Sequence, residues 1–249
     1  TLRREKDHTM DPLTTCVLSF QLLCFSGPEL GAGVSAQTAE VATAQQPAWR
    51  PDKASSVLTQ VQAFYDGTTD LDAKFSQTYW NPSYGSNTKT NGKLKLKKPG
   101  MMVWDYAGKS DADYYADGKE LAMVEHDTRQ VIRTDVASNN ELTAAMKFLF
   151  GGQKLLREFK VRYAKDDRIK KYGDKDHHVL ELKPKAKNKH YKGLVLVVHA
   201  TTGRVDSFVV YNTDGSSNYF QLRDIRTNSG IPSKAFTFKN KKGYVETRE

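Results

Sequence analysis

The chain has 249 residues, a formal net charge of +9, and contains 38% hydrophobic and 27% charged residues. This length suits a single all-β domain with its own core, and no run of about 18 or more apolar residues offers an ordinary membrane-spanning helix. Two cysteines, Cys16 and Cys24, are too few for a disulfide framework or a four-cysteine zinc site, which excludes disulfide scaffolds and zinc ribbons.

The first 36 residues have the order of features that is typical of a secretory signal. Residues 1–6 include three basic side chains, residues 13–25 are mostly apolar, and residues 34–36 (Val-Ser-Ala) are small enough for signal-peptidase cleavage. We therefore predict a signal peptide over residues 1–36. The alternative is a disordered extension that contains one short apolar helix.

The rest of the chain is predicted to be a disordered leader over residues 37–51 and one domain over residues 52–249. The leader is rich in Ala, Gln, Thr and Pro. Neither Cys16 nor Cys24 has the preceding residues that a lipoprotein signal requires. We therefore expect an exported protein that is released into the periplasm rather than anchored.

The domain is predicted to begin with a helix that Asp52 caps and that Asp66-Gly67 ends. Apolar residues recur at helical spacing between these points, at Val57, Leu58, Val61 and Phe64. A second helix is predicted over Glu141–Phe150, where Leu142, Ala145, Met146 and Leu149 share one face before Gly151-Gly152.

Between and after these helices the pattern is that of β-strands. Leu94 and Leu96 alternate with lysines, a turn follows at residues 98–100, and Met102, Trp104 and Tyr106 then alternate with other residues. Further strands are predicted at residues 113–116, 121–124, 130–134, 158–163, 178–182, 194–199, 205–211, 219–225 and 236–238, with turns at Asp166-Asp167, Gly173-Asp174, Thr202-Gly203 and Asp214-Gly215. Hairpin-length spacing without a βαβ rhythm predicts an antiparallel meander. Its apolar face is too large for two short helices to fill, so the sheet should close or enclose a cavity.

The sequence offers little catalytic chemistry. It contains no nucleophile-elbow, phosphate-loop or HExxH motif. The His177-His178 doublet is interpreted as part of a solvated loop rather than a metal site, and Asp111, Asp113 and Asp117 as parts of a polar turn. We predict no enzyme activity, no cofactor and no metal.

The chain contains clusters of lysines, which are compatible with binding to nucleic acid, but the positions of these lysines argue against it. Lysines at alternating outward positions and in turns keep a sheet face and its edges solvated, and an exported protein meets little nucleic acid. A basic surface that meets anionic phospholipid or an acidic protein fits export better.

Several short motifs, taken in their order and spacing, resemble the outer-membrane lipoprotein carrier family, LolA. The likeness spans about residues 58–249. It rests on Phe75-Ser76-Gln77, Gly92 to Gly100 with Trp104, Asp117 to Leu121, Leu180 to Pro184, Phe236-Thr237-Phe238 and Gly243-Tyr244-Val245.

The resemblance implies a fold, a function and partners. The fold would be an unclosed β-barrel of about eleven antiparallel strands with a helical lid over a hydrophobic cavity. The function would be that of a monomeric, soluble periplasmic carrier that takes lipoproteins, by their acyl chains, from an inner-membrane ABC transporter complex to an outer-membrane receptor.

The resemblance also implies site residues. The lipid cavity would be lined by Leu94, Leu96, Met102, Trp104, Leu121 and Met123, and the lid would present Leu142, Met146, Leu149 and Phe150. Lys98 stands where the family usually has an arginine associated with lid closure and cargo release. It keeps the charge but lacks the planar fork of arginine.

Two further hypotheses belong to other classes of protein. One is a sensor or interaction module of the same fold, which a membrane anchor or a second domain would favour. The other is the anchored receptor of the same pathway, which the missing lipidation cysteine disfavours.

Overall fold

The structure is a computed structural model that describes residues 51–108, 112–136, 155–187, 189 and 191–248. The signal peptide and almost all of the leader, residues 1–50, lie outside the described residues, as does the helix predicted over Glu141–Phe150 with its lid residues Leu142, Met146, Leu149 and Phe150. The helices are α1 (Pro51–Asp66), α2 (Leu155–Glu158), α3 (Asp166–Tyr172) and a 3₁₀ turn (Ser233–Phe236). The strands are β1 (Asp70–Asn81), β2 (Ser86–Lys97), β3 (Met101–Tyr106), β4 (Ala112–Asp117), β5 (Glu120–Glu125), β6 (Gln130–Asp135), β7 (Phe159–Tyr163), β8 (His177–Pro184), β9 (Tyr191–His199), β10 (Val205–Asn212), β11 (Ser217–Thr227) and β12 (Val245–Arg248).

All twelve of these strands belong to one sheet, in the order β12-β6-β5-β4-β3-β2-β1-β11-β10-β9-β8-β7. Two meanders, β1 to β6 and β7 to β11, are joined in the middle of the sheet where β1 pairs with β11. The edge strands β12 and β7 are not paired with each other, so the sheet is unclosed. The predicted mainly β, unclosed and antiparallel architecture is confirmed. The twelfth strand is β12, which pairs in parallel with β6.

Side-chain alternation gives the sheet two different faces. Leu94 and Leu96 in β2 are buried, whereas the lysines between and beside them lie on the opposite face. The inner face, as we call it, carries the main apolar cluster of the protein, and α1 contributes Ala54, Val57, Leu58, Val61 and Tyr65 to that cluster. The large apolar face predicted from the sequence is therefore covered in part by α1, which also contacts β7 and α2.

The outer face carries two smaller apolar clusters, each beneath a different segment. Near α3, Tyr172 packs against a cluster formed by Ala164, Val179, Val195 and Val209. On the other half of the sheet, the C-terminal segment supplies Phe238 and Tyr244 to a cluster with Ala122, Val124 and Val131. The outer face is thus partly covered by these segments, and within the described ranges no long helix like α1 packs on it. No helix in the described part of the chain is long and apolar enough to cross a membrane.

The structure corrects four details of the predicted elements. Strand β1 was not predicted, because its inner face includes a polar residue, Gln77, that breaks the apolar alternation. The strand predicted at 236–238 is wrong: Phe236 ends a 3₁₀ turn, and its side chain is buried without strand pairing. The turn predicted at Asp166-Asp167 is the first turn of α3. Helix α1 begins at Pro51 rather than after Asp52, where proline's fixed φ suits a first helical position.

Candidate functional site

The six side chains proposed to line a cavity lie on three strands of one meander, β2, β3 and β5. Five of them are between 0% and 8% exposed and belong to the main inner-face cluster: Leu94, Leu96, Met102, Trp104 and Leu121. Met123 is partly buried and packs against the same cluster. They lie side by side because the strand register pairs Leu94 with Trp104 and Leu96 with Met102. The result is a continuous apolar wall on β2 to β5.

An aromatic cluster extends this wall across the middle of the sheet. The Phe75 ring lies 5.2 Å from Trp104, 5.0 Å from Tyr106 and 6.3 Å from Phe220, measured between ring centroids. Gly92, which pairs with Phe75, leaves room for that ring: a Cβ there would lie 2.8 Å from the ring and 2.1 Å from the Asp105 carbonyl oxygen. The sequence motifs that contain Phe75 and Gly92 therefore pack directly against each other.

Next to the aromatic cluster lies a buried polar network that sequence reasoning missed. The Gln77 amide donates from Nε2 to Asn218 Oδ1 at 2.6 Å, and Gln77 Oε1 accepts from the Tyr106 hydroxyl at 2.6 Å and from the Thr90 hydroxyl at 3.3 Å. Gln77 and Asn218 are at most 1% exposed. Burying an amide is tolerated when its groups are paired. The only sequence signal was the position of Gln77 in the Phe75-Ser76-Gln77 motif.

Helix α1 covers part of the inner face through its apolar side chains and also makes polar contacts with neighbouring segments. Its apolar side chains belong to the main cluster, while the backbone N–H of Leu155 donates to Gln62 Oε1 at 2.9 Å. At Gly203 in the β9–β10 turn, φ is +76°, and an added Cβ would lie 2.6 Å from the Gln60 carbonyl oxygen. The β9–β10 turn therefore approaches α1 backbone to backbone. Burial among these elements raises the pKa of the Tyr65 hydroxyl.

Lys98 contacts the C-terminal end of α1. Its ammonium Nζ donates to the carbonyl oxygens of Tyr65, at 2.6 Å, and Asp66, at 3.1 Å. These carbonyls belong to the last turn of the helix, where intrahelical partners are absent and a cation interacts favourably with the helix dipole. Lys98 is the residue that joins the β2–β3 turn to α1.

The linker between α1 and β1 is fixed by the loop that follows β11. Asp70 accepts hydrogen bonds from the backbone N–H groups of Ser229, at 2.9 Å, and Gly230, at 3.0 Å. Burial opposes ionisation of this carboxyl, but the hydrogen bonds outweigh that effect and lower its pKa. Asn228 accepts from the Thr69 backbone N–H at 2.7 Å. These hydrogen bonds connect the segment that follows α1 to the loop that follows β11.

The histidine doublet is not in a solvated loop, contrary to the sequence interpretation. Both residues lie in β8, and His177 contacts Asp174 through Nδ1 at 2.6 Å and Asp206 through Nε2 at 3.1 Å. Burial disfavours the imidazolium, but hydrogen bonds to the two carboxylates outweigh it and raise the pKa of His177. Burial lowers the pKa of His178. His177, Asp174 and Asp206 therefore form a hydrogen-bonded cluster at the beginning of β8.

Asp113 is also placed differently from the polar turn that was expected. It is 5% exposed, lies in β4, and contacts His126 Nε2 through Oδ2 at 2.7 Å, while its Oδ1 accepts from the Tyr106 backbone N–H at 2.9 Å. His126 Nδ1 lies 2.9 Å from the Tyr244 hydroxyl. This chain of contacts fastens the C-terminal segment to the sheet. Asp117 does form a turn, accepting from two backbone N–H groups, and Asp111 lies outside the described residues.

Within the described residues, no group of three or more His, Cys, Asp or Glu side chains could hold a metal ion. The described residues of this site combine a broad apolar wall on the sheet with a covering helix and polar contacts to that helix. Its most specific polar contact to the covering helix is made by Lys98.

Comparison with known proteins gives a family match over most of the chain. Residues 66–239 match the family model described as outer membrane lipoprotein carrier protein LolA. The chain is 26% identical over 204 residues to a Ralstonia nicotianae protein named outer-membrane lipoprotein carrier protein, covering 79% of this chain and 89% of that one. A Chromobacterium violaceum protein of the same name is 29% identical over 197 residues, covering 76% and 86%. A third, from Pseudomonas putida, is 23% identical over 175 residues, covering 70% and 79%.

Proposed function

The chain belongs to the outer-membrane lipoprotein carrier family, LolA, and on that basis we propose that it binds the acyl chains of lipoproteins and carries lipoproteins between membranes. The observation that supports this most is the inner face of the unclosed sheet. There, Leu94, Leu96, Met102 and their neighbours form an apolar wall beneath α1. A wall of this kind offers long alkyl chains a surface sheltered from water.

Carriage requires that binding be strong but reversible, and the geometry fits this requirement. Burying one acyl chain of about 16 carbons gains roughly 12 kcal/mol at about 0.8 kcal/mol per methylene. Two or three chains buried ideally would exceed the largest useful affinities of about 18 to 21 kcal/mol. Displacing α1 from the inner face costs apolar contacts and the Lys98 hydrogen bonds, which lowers the net affinity for cargo.

The finer elements of the proposal come from the family. The protein acts in the periplasm after export, as a monomer, receives lipoproteins from an inner-membrane ABC transporter complex, and delivers them to an outer-membrane receptor. Lys98 acts as the gate residue, because its ammonium binds the end of the covering helix. The segment Glu141–Phe150 serves as a second part of the lid.

A release experiment tests this function. Spheroplasts that hold a radiolabelled triacylated lipoprotein in the inner membrane are incubated with the purified protein. We expect the label to appear in the supernatant in a one-to-one complex with the protein. No release above that seen with buffer would contradict carriage and would favour a sensor or interaction module of the same fold.

A matched pair of variants links release to the inner face. Leu96→Glu places a charge on the wall, whereas Lys95→Glu changes the neighbouring residue on the outer face. Leu96→Glu should abolish release, because an ionised carboxylate among acyl chains is strongly disfavoured. Lys95→Glu should release lipoprotein as the unmodified protein does.

A further inference from the structure

The indole of Trp104 has an unusual position for a hydrogen-bond donor. Trp104 is 8% exposed and lies in the main inner-face cluster, with its ring 5.2 Å from those of Phe75 and Phe220. Its Nε1 atom is buried and has no hydrogen-bond partner among the described residues. Indole N–H is a donor only, and leaving it buried without an acceptor costs the desolvation of that group.

Other polar groups on the same wall do have hydrogen-bond partners. Tyr106, two residues further along β3 on the same face, donates its hydroxyl proton to Gln77. Gln77 in turn donates to Asn218 and accepts from Thr90. The two aromatic rings that pack against Trp104, those of Phe75 and Phe220, offer no hydrogen-bond acceptor.

A buried hydrogen-bond donor that has no acceptor in the protein suits a ligand that carries an acceptor. Because the wall is apolar, that ligand must be mostly hydrocarbon, with an acceptor close to the hydrocarbon. Acyl chains have this character: each begins at a carbonyl oxygen, which belongs to an ester on the glyceryl group or to an amide on the terminal nitrogen of a lipoprotein.

Resting on the proposed function, we propose that Trp104 is a polar subsite of the inner face, whose Nε1–H donates a hydrogen bond to the carbonyl oxygen of an acyl linkage in the bound lipid. The subsite gives the wall a preference for acylated over alkylated lipids and fixes how deep the chains lie. An apolar wall without a hydrogen-bond donor would bind acylated and alkylated lipids equally well.

The test compares three synthetic lipopeptides with the same peptide. The first carries two palmitoyl esters on the glyceryl group, the second carries two hexadecyl ethers there, and the third adds an N-palmitoyl amide to the diether. For each probe, the dissociation constant is measured for the unmodified protein, for Trp104→Phe and for Trp80→Phe. Trp80 supplies the control, because it is exposed and lies in β1.

Trp104→Phe should weaken binding of the diester probe, the amide probe or both by about fivefold to tenfold, the effect of one hydrogen bond. If Trp104→Phe weakens binding of the diester probe, the hydrogen-bond acceptor is the ester carbonyl. If it weakens binding of the third probe, the acceptor is the amide carbonyl. The diether should bind Trp104→Phe as it binds the unmodified protein, and Trp80→Phe should match the unmodified protein throughout.

The outcomes separate the subsite from the function. Equal weakening of all three probes, or of none, would overturn the subsite while leaving acyl-chain binding intact. Failure of the unmodified protein to bind any probe would overturn the proposed function and the subsite with it. If Trp104→Phe does not fold, 3-benzothienylalanine at position 104 keeps the bicyclic shape, lacks the N–H, and should give the same selective loss.

Discussion

At the scale of single residues, Lys98 controls how firmly the end of α1 is held. Lys98→Leu removes the hydrogen bonds to the Tyr65 and Asp66 carbonyls, so docking of α1 should weaken by about 1 kcal/mol. We expect uptake of lipoprotein to persist and its delivery to acceptor membranes to fall. Delivery is measured with radiolabelled lipoprotein, and hydrogen exchange at the α1 amides reports docking.

Two matched variants make that measurement specific. Lys98→Arg keeps the charge and adds a planar fork, so it should preserve docking of α1. Lys89→Leu removes an exposed lysine from β2 and should change nothing. Unchanged delivery by Lys98→Leu would remove Lys98 from the transfer step.

His177 makes the stability of the fold depend on pH near neutrality. The folded-state pKa of His177 is raised above its ordinary value of 6.5 by Asp174 and Asp206, against the opposing effect of burial. A raised folded-state pKa stabilises the protein fully below the unfolded pKa, and this stabilisation is lost as pH rises through the folded pKa. Urea unfolding should therefore show stability falling above about pH 6.5.

His177→Gln should flatten this dependence, because glutamine does not titrate. Towards low pH the same cluster acts in the opposite direction: the pKa of Asp206 is lowered, so its contribution is lost as pH falls through the folded pKa. A fall in stability above about pH 6.5 that persists in His177→Gln would contradict the assignment to His177.

At the scale of elements, the contact between α1 and the β9–β10 turn depends on a glycine. Gly203→Ala faces two costs: a side chain at φ +76°, worth about 1–2 kcal/mol, and a Cβ 2.6 Å from the Gln60 carbonyl oxygen. Because that neighbour is backbone, α1 must shift. We expect a lower free energy of unfolding and faster hydrogen exchange at the α1 amides.

Gly230 provides the matched control for this element. Its φ of +73° is nearly the same, but nothing lies within 4 Å of an added Cβ. Gly230→Ala should therefore cost only the backbone strain and leave exchange in α1 unchanged. Equal effects of the two substitutions on α1 would show that the close approach at Gly203 does not hold the helix.

The elements that could be predicted from the sequence are those with clean local patterns. Leu94 and Leu96 between lysines, and Met102 to Tyr106, gave both the strand and its buried face. Strand β1 was missed because Gln77 faces inward, and hydrogen bonds with Asn218, 141 residues away, and with Tyr106 and Thr90 make that burial tolerable. Lys98, His177 and Asp113 likewise each have a partner in another segment, 33, 29 and 13 residues away along the chain, and sequence patterns do not specify such contacts.

At the scale of the whole molecule, the sheet is open, and its two edge strands make different contacts with the rest of the protein. Strand β7 at one edge contacts α1. At the other edge β12 pairs with β6 although all four of its residues are exposed. Ion pairs from Arg133 to Glu246 and from Arg248 to Glu120, together with the His126–Tyr244 contact, hold β12 in place. The helix contact at one edge and the ion pairs at the other reduce the tendency of edge strands to pair with another chain.

The central claim is that cargo acyl chains lie on the inner face of the sheet, and photo-crosslinking tests it most directly. A benzophenone amino acid is placed at Leu96, on the inner face, or at Lys95, the adjacent residue on the outer face, in cells whose lipoproteins carry radiolabelled palmitate. Irradiation should link labelled lipoprotein to position 96 and not to position 95. Crosslinks at position 95 that equal or exceed those at position 96 would contradict the claim.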